Sequence, residues 1–301
     1  MMDESTATGA AGSGRLGPRT VAFQGEAGAF SEEALFRYFG KHVDPLPQRD
    51  FPAVASAVTS GEAIFGILPV ENTRVGSVQP AYDVLADGGL RIVGEVVLPI
   101  RHFLLGVPGA PTEGLRKVLS HPVALAQCTR FLSARSGLEA VAVYDTAGAA
   151  KEVAERGDPS VGAVAAEGAA RRYGLGVLHA DIQDRDDNQT RFYVVERDDG
   201  PASVGAEEAD RFKTVLLLEV EDRPGSLLEA LQAFASRGIN LTKLESRPGS
   251  TPWRYRFVLE FQARLDSEAA TAAVHEARER ASLLHVLGSF PAAASPPEGR
   301  P

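Results

Sequence analysis

The chain has 301 residues, of which 44% are hydrophobic, so it has enough apolar material for more than one buried core. Its 31 basic and 40 acidic residues give a formal net charge of −9, which argues against a nucleic-acid or anionic-membrane partner. The single cysteine, Cys128, excludes an intrachain disulfide and a cysteine-based zinc site and indicates a reducing compartment, so we expect a cytoplasmic protein.

The histidines lack the i, i+4 spacing of a metal site, so we expect no metal. No stretch approaches the roughly 18 apolar residues of a membrane-spanning helix, and we expect no membrane partner. Residues 1–18 are rich in Gly, Ser, Ala and Thr, and residues 291–301 are rich in Pro and Ala. Segments of this composition predict a disordered leader and a disordered tail.

The first 197 residues alternate between strand-like and helix-like segments. This rhythm predicts an α/β fold with a largely parallel or mixed sheet and helices on its faces. Residues 99–101 join two strands without a helix, which predicts a crossing between two lobes, with a return near Asp184 and a cleft between the lobes. Predicted strands are 20–24, 63–68, 91–98, 103–107, 117–119, 140–144, 161–164 and 193–195, and predicted helices are 31–40, 53–60, one after Pro122, one from Thr146 and one ending at Tyr173.

Residues 198–211 are polar and turn-rich, which predicts a linker between a first domain at 19–197 and a second at 212–290. The second domain has the predicted order strand, helix, strand, strand, helix, strand. This βαββαβ order is typical of a ferredoxin-like fold.

Two loops rich in hydrogen-bond donors indicate one ligand site. The run DNQTRF at 187–192 precedes a predicted strand, and the run PVENTRVGS at 69–77 follows one. In open α/β sheets, ligands bind beyond the carboxyl ends of strands. Amide, hydroxyl and guanidinium donors suit an anionic ligand that must lose a hydroxyl. Taken alone, Asn188 could equally initiate a turn and Thr190 could be an ordinary β-branched strand residue.

Five ordered motifs resemble one enzyme family. They are FQGEAGAFSEEAL from Phe23, GILPVENTRVGSV from Gly66, SHPVALAQC from Ser120, DTAGAAK from Asp145 and IQDRDDNQTRF from Ile182. With the run RPGSLLEALQAFASRGINLTKLESRP from Arg223, they make residues 19–290 resemble the monofunctional prephenate dehydratases. The resemblance implies a bilobal, periplasmic-binding-protein-like catalytic domain followed by a ferredoxin-like βαββαβ ACT domain.

The chain departs from the family pattern at two positions. Thr73 stands where many relatives have serine, and Phe103 follows His102 where many have cysteine. The opening FQGEAGAFSE also resembles the plastid arogenate dehydratases, so the resemblance defines the reaction type better than the substrate.

The resemblance implies a cofactor-free site in which donors orient prephenate and help its hydroxyl leave. Thr190 is the leading candidate to hydrogen-bond or protonate that hydroxyl, and Glu71 is interpreted as structural or orienting because a carboxylate beside a dianion is unfavourable. Without the resemblance, Ser120 is interpreted as a helix cap, Gln127 as a solvated amide, and His102 and His121 as packing or turn residues. The implied catalytic residues are Thr190, Glu71, Asn72, Ser120 and Gln127, and the implied substrate-binding residues are Thr73, Arg74, Gly76, Ser77, Arg191 and Phe192.

In the second domain the resemblance implies an L-phenylalanine site. A strand end and a helix start place polar backbone groups near apolar side chains, although the same residues also suit a plain strand end and a capped helix. Such sites lie between subunits, so we expect a homodimer or homotetramer. The implied effector residues are Gly225, Ser226, Leu227, Asn240, Leu241, Glu245, Ser246, Arg247 and Pro248.

Three functional hypotheses follow. The first is a prephenate dehydratase controlled by phenylalanine, and the second is an arogenate dehydratase with the same chemistry. The third is a non-catalytic sensor of aromatic metabolites, against which the Thr190-Arg191-Phe192 motif weighs.

Overall fold

The structure of the chain, a computed structural model, describes residues 19–199, 209, 211–249, 251 and 253–293. The predicted leader, most of the predicted linker and the predicted tail from residue 294 onward lie outside the described residues.

The N-terminal lobe is built on one half of a large mixed sheet, with strand order β5-β11-β3-β1-β2. Strands β1, β2 and β3 are parallel, whereas β11 runs antiparallel to both β3 and β5. The lobe contains β1 (Arg19–Gln24), α1 (Phe30–Phe39), β2 (Val43–Gln48), α2 (Phe51–Ser60), β3 (Phe65–Asn72), β4 (Gly76–Ser77), α3 (Gln79–Ala86), β5 (Leu90–Pro99) and, after the chain returns, β11 (Gln189–Arg197).

The second lobe has its own sheet, with strand order β10-β6-β9-β7-β8. The chain enters this lobe between β5 and β6 and leaves it between β10 and β11, which confirms the predicted crossings. Its elements are β6 (Phe103–Gly106), a 3-10 turn (Thr112–Gly114), β7 (Lys117–Ser120), α4 (Pro122–Ala126), α5 (Thr129–Ser133), β8 (Glu139–Ala142), α6 (Thr146–Arg156), β9 (Val161–Ala165), α7 (Glu167–Tyr173) and β10 (Gly176–His179).

The C-terminal domain has the predicted βαββαβ order, which confirms the ferredoxin-like arrangement. Its four antiparallel strands lie in the order β13-β14-β12-β15, and α8 packs beside α9. The elements are β12 (Phe212–Glu219), α8 (Ser226–Ala235), β13 (Leu241–Pro248), β14 (Tyr255–Phe261), α9 (Glu268–Arg280) and β15 (Leu283–Pro291).

The sequence did not predict three strands: β2, the two-residue β4, and β10. Strand β2 contains Pro45 and Pro47, residues that disfavour a central strand. It pairs with β1 at one end of the sheet, where the missing N–H groups can face away from a partner. Strand β10 likewise lies at the end of its sheet. Edge position therefore allowed strands that the local pattern did not indicate.

The C-terminal domain shares a hydrophobic core with the N-terminal lobe. Leu217, Val258 and Phe290 from the C-terminal sheet belong to the same buried cluster as Tyr82 and Leu85 of α3. The opposite face of that sheet packs on α8 and α9 through a separate core that includes Leu216, Phe234 and Leu259. One face of the C-terminal sheet is therefore buried against the N-terminal lobe. None of the helices in the described residues is long and apolar enough to cross a membrane.

The two sheets join at Gly288. Strand β15 pairs in parallel with β5 at Gly288 and Ile92, which makes the C-terminal sheet continuous with the sheet of the lobe. A Cβ atom at Gly288 would lie 2.1 Å from the backbone oxygen of Ile92. Any side chain here therefore pushes the two strands apart.

We predict that Gly288→Ala destabilises the protein by about 1–3 kcal/mol, the usual cost of overpacking a well-packed core. Gly168→Ala is the matched control, because its Cβ would meet Gly28 O at an ordinary 3.6 Å within α7. Thermal unfolding of both variants measures the effect. Equal melting temperatures for Gly288→Ala and the unmodified chain would show that the junction is not tightly packed.

Candidate active site

A cleft of about 840 Å³ lies between the two lobes of the first domain. It is bordered by the ends of β3 and β11 in the N-terminal lobe and by α4 and the start of α6 in the second lobe. Its lining includes both predicted site residues and residues that sequence reasoning did not select: Gln24, Ala29, Phe30, Ser31, Arg49, Asp50, Phe51, Pro52, Pro69, Asn72, Val75, Ser77, Val78, Gln79, Pro80, Ile100, His102, His121, Val123, Ala124, Gln127, Tyr144, Asp145, Thr146, Thr190 and Phe192.

The pairing of β3 with β11 brings the two donor-rich runs together. Thr190 lies opposite Asn72, and Arg191 lies opposite Glu71. Since successive strand residues point to opposite faces, Thr190 and Asn72 face the cleft while Arg191 and Glu71 face away. Both runs are therefore largely strand rather than loop, because β3 continues to Asn72 and β11 starts at Gln189.

A chain of side-chain hydrogen bonds leads from Thr190 across the cleft. The Asn72 amide donates to Thr190 Oγ1 and to Asn188 Oδ1, each at 2.9 Å. The Asn188 amide donates to Gln127 Oε1 at 2.9 Å. His102 Nε2 lies 2.8 Å from the same Gln127 oxygen. The chain therefore ties β3 and β11 to the C-terminal end of α4 in the second lobe.

Asn72 has all of its hydrogen-bonding capacity in use. Its two amide hydrogens are donated as described, and its Oδ1 accepts from the backbone N–H groups of Arg74 and Val75 at 2.9 and 3.1 Å. Thr190 Oγ1 accepts from this amide and donates no hydrogen bond within the described residues, so its hydroxyl hydrogen can be donated to a molecule in the cleft. Asn72 orients a donor in this arrangement.

His102 is the site residue that sequence reasoning interpreted as a packing residue. It is 2% exposed, it lies edge-on to Phe30 with ring centroids 5.6 Å apart, and its Nδ1 has no hydrogen-bond partner within the described residues. Burial lowers the pKa of His102 below its usual 6.5 despite the hydrogen bond to Gln127. The neutral ring with hydrogen on Nε2 fixes the Gln127 carbonyl. The sequence signal that could have identified His102 as a site residue was its position directly after the predicted crossing between the lobes.

Ser120 is not brought to the cleft. Its hydroxyl donates to the backbone oxygen of Val164 at 2.5 Å, and its side chain is fully buried within the sheet of the second lobe. Cys128 is also fully buried, and burial raises the pKa of its thiol to about 12, which removes it as a nucleophile.

Arg191 and Glu71 lie outside the cleft, which corrects the expectation that Arg191 binds substrate. The Arg191 guanidinium is 2.6 Å from Glu71, 2.6 Å from Glu260 and 3.5 Å from Glu95. Glu260 belongs to β14 of the C-terminal domain. Arg191 therefore holds carboxylates at the contact between domains, and the orienting role expected for Glu71 agrees with this geometry.

The remaining residues of the 69–77 run have separate positions. Thr73 Oγ1 donates to Asp187 O and accepts from Gln189 N, both at 3.0 Å, so it ties the two runs together. Arg74 lies 3.6 Å from Asp187 and lines a smaller side pocket beside Gln127 and Asn188. Gly76 has φ +86°, a conformation that favours glycine, and it lies opposite Asn72 at the start of β4. Ser77 lines the cleft.

Helix N-termini give the cleft a positive electrostatic character. Helices α1, α2, α3 and α6 all begin with residues of the cleft lining. Asp50 caps α2 and Asp145 caps α6, whereas α1 and α3 have no side-chain cap. Free N–H groups at a helix start and the helix dipole both favour an anion. The cleft therefore suits an anionic ligand without a buried lysine or arginine within it.

The predicted effector residues lie at two positions of the C-terminal domain. Strand β13 runs parallel to β12 with β14 between them. Glu245–Pro248 and the β12–α8 connection therefore lie at the same end of the sheet, where both strands terminate. Ser226 is buried and donates to Arg223 O, while Asn240 donates to Gln262 and precedes Leu241 at the other end of β13. Gly225 and Leu227 flank the helix start, and Ser246 and Pro248 end the strand.

Two of these residues contact the N-terminal lobe. Glu245 accepts a hydrogen bond from Ser77, and Arg247 binds Asp83 at 2.5 Å and Gln79 O at 3.2 Å. Arg247 is 7% exposed. Their side chains are therefore occupied within the same chain.

Comparison with known proteins agrees with this arrangement. The sequence model of the family described as "Prephenate dehydratase" matches residues 21–200, and that described as "ACT domain" matches residues 214–279. The chain belongs to the prephenate dehydratase family. The family includes arogenate dehydratases, and the ACT domain is its regulatory module.

Three relatives illustrate the similarity. The "Arogenate dehydratase/prephenate dehydratase 2, chloroplastic" of Arabidopsis thaliana is 42% identical, over 90% of this chain and 72% of the plant protein. A prephenate dehydratase from Arthrobacter aurescens, solved in complex with L-Phe, is 32% identical with a TM-score of 0.81, covering 90% of this chain and 89% of that one. A structure described as "GqqA- a novel type of quorum quenching acylases" is 35% identical with a TM-score of 0.83, covering 92% and 99%.

Within the described residues, no group of three or more His, Cys, Asp or Glu side chains is arranged to hold a metal ion.

The domain contact predicts a loss of stability in acid. Burial opposes ionisation of Glu260, but Arg191 and Lys213 together hold its pKa below the ordinary 4.5. A carboxylate with a depressed folded-state pKa stabilises the fold above its unfolded-state pKa, and this contribution is lost as pH falls through the folded-state pKa. Glu260→Gln should lower the free energy of unfolding by about 3 kcal/mol at neutral pH, since it removes a buried carboxylate that pairs with both Arg191 and Lys213.

Urea unfolding at neutral pH and below pH 4.5 measures this effect. The difference in the free energy of unfolding between Glu260→Gln and the unmodified chain should be smaller in acid than at neutral pH. The control is Glu139→Gln, which removes an exposed ion pair with Lys117 and should cost no more than about 1 kcal/mol. A pH-independent difference would refute the electrostatic explanation.

Proposed function

We propose that the chain converts prephenate to phenylpyruvate in L-phenylalanine biosynthesis and that L-phenylalanine controls this activity. The observation that carries the proposal is the Thr190 hydroxyl, which accepts from Asn72 at 2.9 Å and keeps its own hydrogen free to be donated in the cleft. Family membership supplies the reaction class. The donors that line the cleft support this proposal.

Prephenate is a dianion with two carboxylates and a ring hydroxyl. In the reaction, the bond from the ring to its carboxylate breaks and carbon dioxide leaves. The electron pair of that bond enters the ring, the carbon–oxygen bond breaks, and the departing hydroxide takes a proton to become water. Aromatisation drives both steps, so the protein has to orient the dianion and stabilise the leaving hydroxide.

Thr190 is the proposed donor to that leaving group. A threonine hydroxyl is too weak an acid to transfer its proton outright, since efficient general acids have a pKa near the working pH. It acts instead as a positioned hydrogen-bond donor to the departing hydroxide, and when its proton passes to the hydroxide a proton from water replaces it. Asn72 orients it, and Gln127, fixed by His102 and Asn188, closes the hydrogen-bond chain from the second lobe.

The substrate carboxylates are proposed to bind at the starts of α1 and α3. These groups are neutral donors aided by helix dipoles, and Ser31 and Gln79 lie beside them in the lining. Arg49 lines the cleft, and Arg74 and Arg185 line its side pocket. We propose no metal and no cofactor for this step.

Arogenate is the alternative substrate, and it carries an ammonium where prephenate has a keto group. The plant relative bears both names. The carboxylates of Asp50 and Asp145 in the cleft lining could accept an ammonium, but each already caps a helix. We therefore propose prephenate as the preferred substrate.

Acylase activity, named for one structural neighbour, requires an activated nucleophile. Thr190 has an amide as its recorded hydrogen-bond partner, not a base, and the thiol of Cys128 is buried with a raised pKa. This geometry favours dehydration over acyl transfer.

In the proposed regulation, L-phenylalanine binds at the end of the sheet formed by Gly225–Leu227 and Glu245–Pro248, between subunits of a homodimer or homotetramer. The solved relative from Arthrobacter aurescens was crystallised with L-Phe. A ligand that binds one state of the ACT domain better than another shifts the population of active cleft conformations. A cytoplasmic location is part of the same proposal.

We predict that the purified protein forms phenylpyruvate from prephenate faster than it consumes arogenate. Thr190→Val, which keeps the shape of the side chain but removes the hydroxyl, should lower kcat by about 10²–10⁴-fold. Thr190→Ser is the control and should retain most of the activity. A Thr190→Val variant that is folded and fully active would exclude Thr190 as the donor.

We also predict that L-phenylalanine lowers the rate and raises the melting temperature. A ligand present at about 100 times its Kd stabilises the folded state by about 2.7 kcal/mol. D-Phenylalanine is the control, because it presents the same groups in the wrong geometry. Identical melting curves with either enantiomer would refute a specific effector site.

A further inference from the structure

Strand β13 of the ACT domain directs three charged side chains toward the catalytic lobe. Glu245 lies opposite Val258, which belongs to the core shared with the lobe, whereas Leu244 lies opposite Leu259 in the core beneath the helices. Strand alternation therefore places Lys243, Glu245 and Arg247 on the face against the lobe. The sequence prediction assigned no role to Lys243.

Lys243 has three polar partners at this contact. Its Nζ lies 2.8 Å from Ser77 Oγ, 3.3 Å from Glu71 Oε1 and 3.1 Å from Glu245 Oε2. The side chain is 9% exposed, and the ammonium lies 5.2 Å from the ring centroid of Tyr82. Burial by itself would lower the pKa of Lys243, but the neighbouring phenol and carboxylates raise it above its ordinary value.

Two of these three partners belong to the hairpin formed by β3 and β4. Glu71 precedes Asn72 on β3, and Ser77 lies opposite Glu71 on β4. Ser77 accepts from Lys243 and donates to Glu245, so its hydroxyl is held from the ACT side while the residue lines the cleft. The hairpin that carries Asn72 is thus fastened at its base by residues of another domain.

We propose that Lys243 is a positioning residue for the dehydration site: by binding Ser77 and Glu71 it holds the β3–β4 hairpin in the geometry that binds substrate. The inference rests on the proposed function. It assigns part of the active-site geometry to the ACT domain of the same chain. Glu245 belongs both to this cluster and to the proposed effector segment, so the hairpin and the effector site share one carboxylate.

The test compares Lys243→Met with Lys243→Arg and Lys213→Met. Methionine keeps the apolar stem over Tyr82 and removes the charge, while arginine keeps the charge. Lys213 is a matched buried lysine that pairs with Glu95 and Glu260 and does not contact the hairpin. Two readouts are measured on folded protein: steady-state kinetics with prephenate, and amide hydrogen exchange of residues 70–78 by mass spectrometry.

For Lys243→Met we expect KM to rise about tenfold with kcat changed less than about threefold, since the interaction positions bound substrate. Exchange in residues 70–78 should accelerate in this variant. Lys243→Arg and Lys213→Met should keep a KM within about twofold of the unmodified protein and unchanged exchange in that segment. A Lys243→Met protein with unchanged KM or unchanged exchange overturns the proposal.

Failure of the proposed function gives a different result. If the unmodified protein converts neither prephenate nor arogenate, the proposed function fails, and the exchange comparison still decides whether Lys243 holds the hairpin. Should Lys243→Met not fold, Ser77→Ala carries both measurements, because it removes the held hydroxyl and leaves Lys243 paired with Glu71 and Glu245.

Discussion

The antiparallel pairing of β3 with β11 is the constraint on which the remainder of the site depends. Its register sets Thr190 opposite Asn72 and Arg191 opposite Glu71. One neutral pair faces the cleft and one charged pair faces the ACT domain, because adjacent strand residues project to opposite faces. A slip of β11 by one residue would turn Arg191 toward the cleft and Thr190 toward the ACT domain. The register thus defines both the catalytic face and the domain contact.

The buried charged side chains on the ACT-facing side of the β3–β11 pair destabilise the fold unless they are paired. Glu95 and Glu260 are almost fully buried, and each requires cationic partners to offset the loss of hydration. Arg191 and Lys213 supply them, and the Tyr193 hydroxyl donates to Glu260 at 2.9 Å. Removing one member leaves the others buried with fewer partners of opposite charge. The network therefore fixes one orientation of the ACT sheet against the lobe, where hydrophobic packing alone would tolerate sliding.

The cleft side of the β3–β11 pair carries neutral hydrogen-bond donors instead of charged groups. A cleft lined by amides, hydroxyls and helix starts can bind an anion without burying a permanent cation of its own. The amides of Asn72, Asn188 and Gln127 also fix one another, so Thr190 is oriented before substrate arrives. Preorganised donors of this kind need no rearrangement when negative charge develops on the leaving oxygen.

The sequence predicted the α/β alternation, the lobe crossings, the βαββαβ domain and the two donor-rich runs. These features could be predicted because periodicity, turn residues and motif order are local properties of the chain. It could not decide the face on which each donor lies. Asn72, Thr190 and Gln127 meet in the cleft, whereas Arg191 pairs with carboxylates and Ser120 bonds within its sheet. His102 was indicated only by its position beside a lobe crossing, and Lys243 showed no local signal, since their roles arise from partners distant in sequence. Tertiary structure decided these positions because strand register and domain packing, not composition, determine which side chains meet.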